Sequence, residues 1–189
     1  VTAVVNGTHN HTMAIKSIVF TVKRYVGVVN ITGLNVTVYA GPVFNVTVTS
    51  NSTGLINVSL NGKFIGSYYN GDTVILGNLT EGDYIVTAVV NGTHNHTMAN
   101  ASFSFTVKRF TGEVNITGIV NGSTLYAGPE FFVTVTTNSS ANISVFLNGV
   151  FVDCVVNGTP VNLTDLADGH YIVTAVVNGT HNHTMAIKS

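Results

Sequence analysis

The chain has 189 residues, of which 8% are charged and 45% hydrophobic, with a net charge of −1 and one cysteine. A charge so near zero offers no field to draw in nucleic acid or anionic lipid, no apolar run approaches the ~18 residues of a membrane span, and a lone thiol excludes an intradomain disulfide. Ordinary domains are roughly 25% charged, so this surface must be hydrated or paired by something other than charge.

One stretch, V-T-A-V-V-N-G-T-H-N-H-T-M-A, occurs three times, at 1–14, 86–99 and 173–186. Repetition at a fixed period is the signature of an array of like units. From Val1 to Val86 is 85 residues and from Val86 to Val173 is 87. The third copy matches the first through Ser189, whereas the middle one has Asn100 and Ala101 where the first has Ile15 and Lys16. The near-repeat is therefore one domain and the true repeat two. The chain begins and ends at nearly the same point of its own cycle, and the expectation is a window cut from a longer periodic polymer.

In chain order, residues 1–24 are expected to be the terminal strands of a preceding, or a donor, domain. Residues 25–109 form a first domain, with strands expected near 27–32, 44–50, 56–60, 63–68, 73–76, 84–90 and 103–108. Apolar and polar residues alternate with a period of two along these segments, and Val, Ile, Thr, Tyr and Phe dominate them, as half-buried strands require. Asn-Gly pairs punctuate the chain, and both residues tolerate the positive φ of a tight hairpin; Asn61-Gly62 is expected to join 56–60 to 63–68. Residues 110–189 repeat the plan without its last strand. Tyr39-Ala40-Gly41-Pro42 aligns with Tyr126-Ala127-Gly128-Pro129, and the one length change is two residues between Gly118 and Tyr126. Seven short strands with regular turn signals predict an all-β fold of tandem β-sandwiches. Cys154 is expected as a small core or surface residue, or else as an interchain bridge or reactive thiol. With no Gly/Ser-rich spacer between the domains, the expected shape is a stiff rod advancing about 35 Å per domain, with Gly27 and Gly112 as its hinge points.

The element Leu79-x-x-Gly82-x-Tyr84-Ile85-Val86-Thr87-Ala88, repeated from Leu166, resembles the tyrosine corner of immunoglobulin-like domains, in which a Tyr opens the penultimate strand after a turn. Together with Phe103-Ser104-Phe105-Thr106-Val107-Lys108, it resembles the tandem immunoglobulin-like repeats of archaeal and bacterial surface proteins, adhesin-like and filament-forming ones in particular. The resemblance implies immunoglobulin-like sandwiches, an extracellular cell-surface location and a structural or adhesive role, with no catalytic residues.

Both ends are expected to be incomplete as domains. The missing closing strand has its match in Ile18-Val19-Phe20-Thr21-Val22-Lys23-Arg24. Either the covalent chain continues, or that segment of one molecule fills the groove of the next as a donated strand. Both give head-to-tail self-association, because the contact is heterologous and does not close on itself.

Acceptor triplets Asn-x-Ser/Thr begin at Asn6, Asn10, Asn30, Asn35, Asn45, Asn51, Asn57, Asn78, Asn91, Asn95, Asn100, Asn115, Asn121, Asn138, Asn142, Asn157, Asn162, Asn178 and Asn182, which is 19 of 22 asparagines. Ser and Thr make up about a fifth of the chain, so independent placement would give about four or five such triplets. The i, i+2 spacing of the triplet is also strand spacing, which favours it on polar strand faces. Asn is nonetheless disfavoured in strands, and the Asn-Gly-Thr turns carry the triplet too. Heavy N-glycosylation is expected, with Pro160 impairing the Asn157 site, and no other cofactor. Asn45 and Ser59 of the first domain become Phe132 and Phe146 in the second; these aromatics are expected either to face outward as a lateral contact for bundling or to enlarge a local core in shifted register.

His94 and His96, with copies at His9/His11 and His181/His183, would face the same way on a strand and could share a metal ion. Two ligands do not make a site, so a polar loop is the competing reading. No Ser/His/Asp or Cys/His constellation and no phosphate loop is present, and a crosslink at Lys23 or Lys108 lacks an acidic partner. The expectation is a non-enzymatic component of a glycosylated extracellular filament or stalk, or alternatively an adhesin array that binds a cell surface or partner.

Overall fold

The computed structural model describes residues 1–128 and 130–189; Pro129, aligned above with Pro42, lies outside them. The chain is all-β among the described residues. It begins with a hairpin of β1 (Thr2–Val5) and β2 (Ala14–Ser17), every residue of which is exposed.

The first sandwich comprises β3 (Val29–Thr32), β4 (Thr37–Tyr39), β5 (Phe44–Ser50), β6 (Ile56–Leu60), β7 (Lys63–Tyr68), β8 (Thr73–Gly77), β9 (Gly82–Val90) and β10 (Ala99–Lys108). One sheet has the order β3-β5-β8 and the other β4-β10-β9-β6-β7. All pairs are antiparallel except β4 with β10, which is parallel. The inner faces are built by the alternation seen in sequence: Phe44, Val46 and Val48 from β5 meet Ile56, Val58, Val86, Ala88, Val90, Phe105 and Val107, all buried. At about 25 cal/mol per Å² of apolar surface removed from water, such side chains hold the two sheets together without any disulfide.

The second sandwich repeats the plan with β11 (Val114–Thr117), β12 (Phe131–Thr137), β13 (Ile143–Leu147), β14 (Val150–Val155), β15 (Pro160–Leu163), β16 (Val173–Val177) and β17 (Ala186–Lys188), in sheets β11-β12-β15 and β14-β13-β16-β17. Its core is smaller, centred on Val133, Val135, Ile143, Val145, Ala175 and Val177.

The Asn-Gly hairpins form as expected. Asn61 and Gly62 have φ of 49° and 78°, and Asn148 and Gly149 have 49° and 81°, the left-handed pair that matches strand twist. The tyrosine corner is present in both sandwiches: the Tyr84 hydroxyl donates to the Thr80 carbonyl at 3.0 Å and that of Tyr171 to Ala167 at 3.0 Å.

Two features differ from expectation. An eighth strand, β4, lies alongside Thr106–Lys108 of β10. Its counterpart in the second sandwich, residues 123–126, forms no strand, and Tyr126 is 85% exposed. The other difference is at residues 18–24, which form no strand; their apolar side chains Ile18, Phe20 and Val22 are exposed.

Candidate functional site

The repeated loop Gly-Thr-His-Asn-His-Thr folds as a tight turn. Thr93 N–H donates to the His96 carbonyl at 2.9 Å and the Thr93 hydroxyl accepts from His96 N–H at 3.1 Å. Thr180 and His183 repeat both bonds at 2.9 and 3.1 Å. Each turn grips the segment that enters its own sandwich. Tyr25 N–H donates to the Asn95 carbonyl at 2.7 Å, and Thr97 N–H returns a bond to the Tyr25 carbonyl at 2.9 Å. Phe110 makes the same pair with Asn182 and Thr184 at 2.7 and 2.9 Å. Two residues on, Gly27 N–H donates to the Thr97 hydroxyl at 3.0 Å and Gly112 N–H to that of Thr184 at 2.9 Å.

An asparagine holds the other side of each segment. Asn51 accepts from Val28 N–H at 2.8 Å and donates to the Val26 carbonyl at 2.9 Å. Asn138 accepts from Glu113 N–H at 2.9 Å and donates to the Thr111 carbonyl at 3.0 Å. The linker is thus a bonded part of the sandwich that follows it.

The preceding side is equally tied. Lys108 is the last residue of β10, paired with Tyr39, and its carbonyl accepts from Ala40 N–H at 2.8 Å. Phe110, whose backbone belongs to the second sandwich, stacks its ring on Tyr39 of the first at 4.6 Å and 12°, and sets it tilted by 34° against His183 at 5.6 Å. Arg109 alone separates the two bonded stretches. Its guanidinium reaches Glu81 at 2.8 Å and also packs over Gly179. Gly41 of the first sandwich faces the Asn182 side chain of the second.

Gly27 and Gly112, read from sequence as hinges, have the opposite role. A Cβ on either would sit 2.1 Å from the Thr97 carbonyl oxygen or 2.0 Å from that of Thr184. Only glycine allows each linker this close to its loop, so each glycine holds its linker against the sandwich that follows.

His96 and His183 are half-buried against Tyr25 and Phe110, at 5.6 Å in each case. His94 and His181 are exposed. The loop is a turn rather than a strand, so the two rings of a pair need not share a face. Among the described residues no group of three or more His, Cys, Asp or Glu converges.

None of the nineteen triplet asparagines is buried; Asn57 and Asn182 are half-buried and the others exposed. Phe132 is 46% exposed on the outer face of its sheet. Phe146, partly covered, meets the exposed Phe151 edge-on at 5.8 Å. The two belong to different sheets, and therefore to opposite faces of the sandwich. Cys154 is exposed on β14, an edge strand. A surface hollow of about 700 Å³ lies against the second linker; among the described residues lining it Glu113 is the one that ionises.

The joint was not legible as a site. Its only sequence trace is that Arg24-Tyr25-x-Gly27 and Arg109-Phe110-x-Gly112 recur in step with the histidine loop.

No protein-family model matches the chain, and no curated protein does. Among solved structures, fibronectin(III)-like modules of CbhA from Clostridium thermocellum share 14% identity with it, over 85% of this chain and 91% of that one, at a TM-score of 0.39.

Proposed function

We propose that the chain is a non-enzymatic, N-glycosylated structural component of an extracellular filament or stalk at the cell surface, built from sandwich units 25–109 and 110–189 joined head to tail. The joint is the observation that carries this reading. A polypeptide that only displayed two domains would not need the linker between them bonded to both sandwiches, with Arg109 alone between the bonded stretches. Such a joint transmits load and orientation along the chain.

Head-to-tail growth proceeds by continuation of the same chain or by donation of residues 18–24 from one molecule to another. Donation is supported by sequence register: Phe20 and Val22 align with Phe105 and Val107, which are 2% and 0% exposed in the first sandwich, while they themselves are 68% and 83% exposed. Sugars on the asparagine-rich faces supply the hydration that 8% charged residues do not, and the outward aromatics on the two faces of the second sandwich provide lateral contacts.

Imaging native material at side-chain resolution tests the reading. Uniform fibres are expected, with a Phe-x-Val strand closing each sandwich and extra density at asparagines. A compact, sugar-free monomer with residues 1–24 folded back onto its own second sandwich would refute it.

A further inference from the structure

The asparagine triplets are not chemically equivalent once the chain is folded. Exposure does not separate them, because Asn51 and Asn138 are as open to solvent as most of the others. Their amides do. Each uses both halves of its carboxamide on one residue of the linker, accepting the N–H that follows and donating to the C=O that precedes. The bonds are 2.8 and 2.9 Å around Gly27, and 2.9 and 3.0 Å around Gly112.

A planar primary amide has two distinct hydrogens on nitrogen. One lies on the same side as the oxygen, the other on the side of Cβ. A two-bond ring of this kind closes only through the oxygen and the hydrogen beside it, because the other hydrogen points away from the linker. Attachment of a sugar makes the amide secondary. Secondary amides are trans, with the new carbon on the oxygen's side of the C–N bond. The sugar carbon therefore takes the place of the very hydrogen that bonds Val26 or Thr111.

Two other asparagines make the same ring. Asn61 accepts from Ile85 N–H at 2.8 Å and donates to the Asp83 carbonyl at 3.4 Å; Asn148 does so with Ile172 and His170 at 2.8 and 3.3 Å. Neither stands in an acceptor triplet. Where an asparagine uses only its oxygen, as Asn57 does toward Ser67 and Asn157 toward Thr137, the nitrogen stays free and the triplet is chemically open.

We infer that Asn51 and Asn138 are reserved as linker clamps and carry no sugar in the folded protein, although both are exposed acceptor triplets. The inference rests on the glycoprotein reading above: it divides the triplets into sugar carriers and clamps. Clamp and glycan exclude each other at these two positions, so the joint keeps its bonds while the surface around it is sugared.

Glycopeptide mass spectrometry of the native protein tests this. Sugar is expected at flanking triplets such as Asn30, Asn45 and Asn115 and none at Asn51 or Asn138. Correspondingly, Thr53→Ala and Ser140→Ala, which destroy the two triplets but spare the clamps, should leave the intact glycan mass unchanged. Sugar at Asn51 or Asn138 in folded material overturns the inference. If no asparagine anywhere carries sugar, the glycoprotein reading fails by itself. The clamp is then judged by amide hydrogen exchange: Val28 and Glu113 should exchange at least about tenfold faster in Asn51→Ala and Asn138→Ala respectively, and equal rates would overturn the clamp.

Discussion

Glycine serves two different physical purposes in this chain, and the distinction is measurable. Gly62 sits at φ +78° with nothing within 4 Å of where a Cβ would be, whereas Gly112 has an ordinary φ and a carbonyl oxygen 2.0 Å from that point. Gly62→Ala meets only the intrinsic cost of the left-handed conformation, about 1–2 kcal/mol. Gly112→Ala meets backbone that has no flexible end to swing aside. The linker must lift off the loop, at an overpacking cost of about 1–3 kcal/mol, and the bond from Gly112 N–H to Thr184 lengthens or breaks. Urea unfolding should show Gly112→Ala lowering the stability of the second sandwich and Gly27→Ala that of the first. Gly62→Ala should destabilise its hairpin and leave the amide protection of both linkers intact. An unchanged midpoint for Gly112→Ala would mean that the close approach contributes nothing. Asparagine divides in the same way: twenty-two residues of one type include members of acceptor triplets, hairpin formers at φ 49° and linker clamps, and hydrogen bonds separate the last two from the rest.

At the scale of elements, what could be read in advance was what is local. The alternation along β5 and β6, the Asn61-Gly62 turn and the tyrosine corner each lie within a few residues, so the sequence carries them directly. Strand β4 escaped because three residues have little periodicity and its pairing depends on the end of β10, about 70 residues on. The histidine loop escaped for the same reason. Its partners Tyr25 and Gly27 are about 70 residues away, and no spacing rule connects them. A pair of histidines two apart suggests a metal ligand set only while the segment is taken for a strand. As a turn, it uses Thr97 and Thr184 as backbone partners and one histidine of each pair as a packing surface. The consequence for the joint is specific. Phe110→Ala removes the ring between Tyr39 and His183 but keeps the backbone pairs with Asn182 and Thr184. Residual dipolar couplings should then show a wider spread of orientations between the sandwiches, with the couplings inside each sandwich unchanged. High salt should have little effect, because Arg109 and Glu81 are 34% and 50% exposed, and ion pairs so open to water contribute about 0–1 kcal/mol. A joint that loosens in 1 M salt as much as on loss of the Phe110 ring would show that charge, and not packing, sets its stiffness.

At the scale of the whole molecule, the placement of the two outward aromatics decides how rods would associate. Phe132 stands on the β11-β12-β15 sheet and Phe146 on the opposite one, where it meets Phe151. A single patch would pair rods and stop, since a two-fold contact is closed once both copies are engaged. Patches on opposite faces leave each rod with a second contact after the first is made, so association can spread into bundles or layers. The first sandwich has Asn45 and Ser59 at these positions, so in the proposed filament alternate units would carry the contacts. Phe132→Asn restores the Asn-Val-Thr triplet that the first sandwich has at Asn45, and Phe146→Ser restores its other polar position. Each substitution alone should convert extended bundles into pairs of rods, and the double variant should leave single rods, as counted in electron micrographs at matched protein concentration. Phe132 is exposed, so its replacement should cost less than about 0.5 kcal/mol, while loss of the Phe146–Phe151 edge contact should cost about 0.5–1.5 kcal/mol; circular dichroism melts verify that the sandwich survives both. Bundles that persist unchanged in the double variant would place lateral contact elsewhere on the surface.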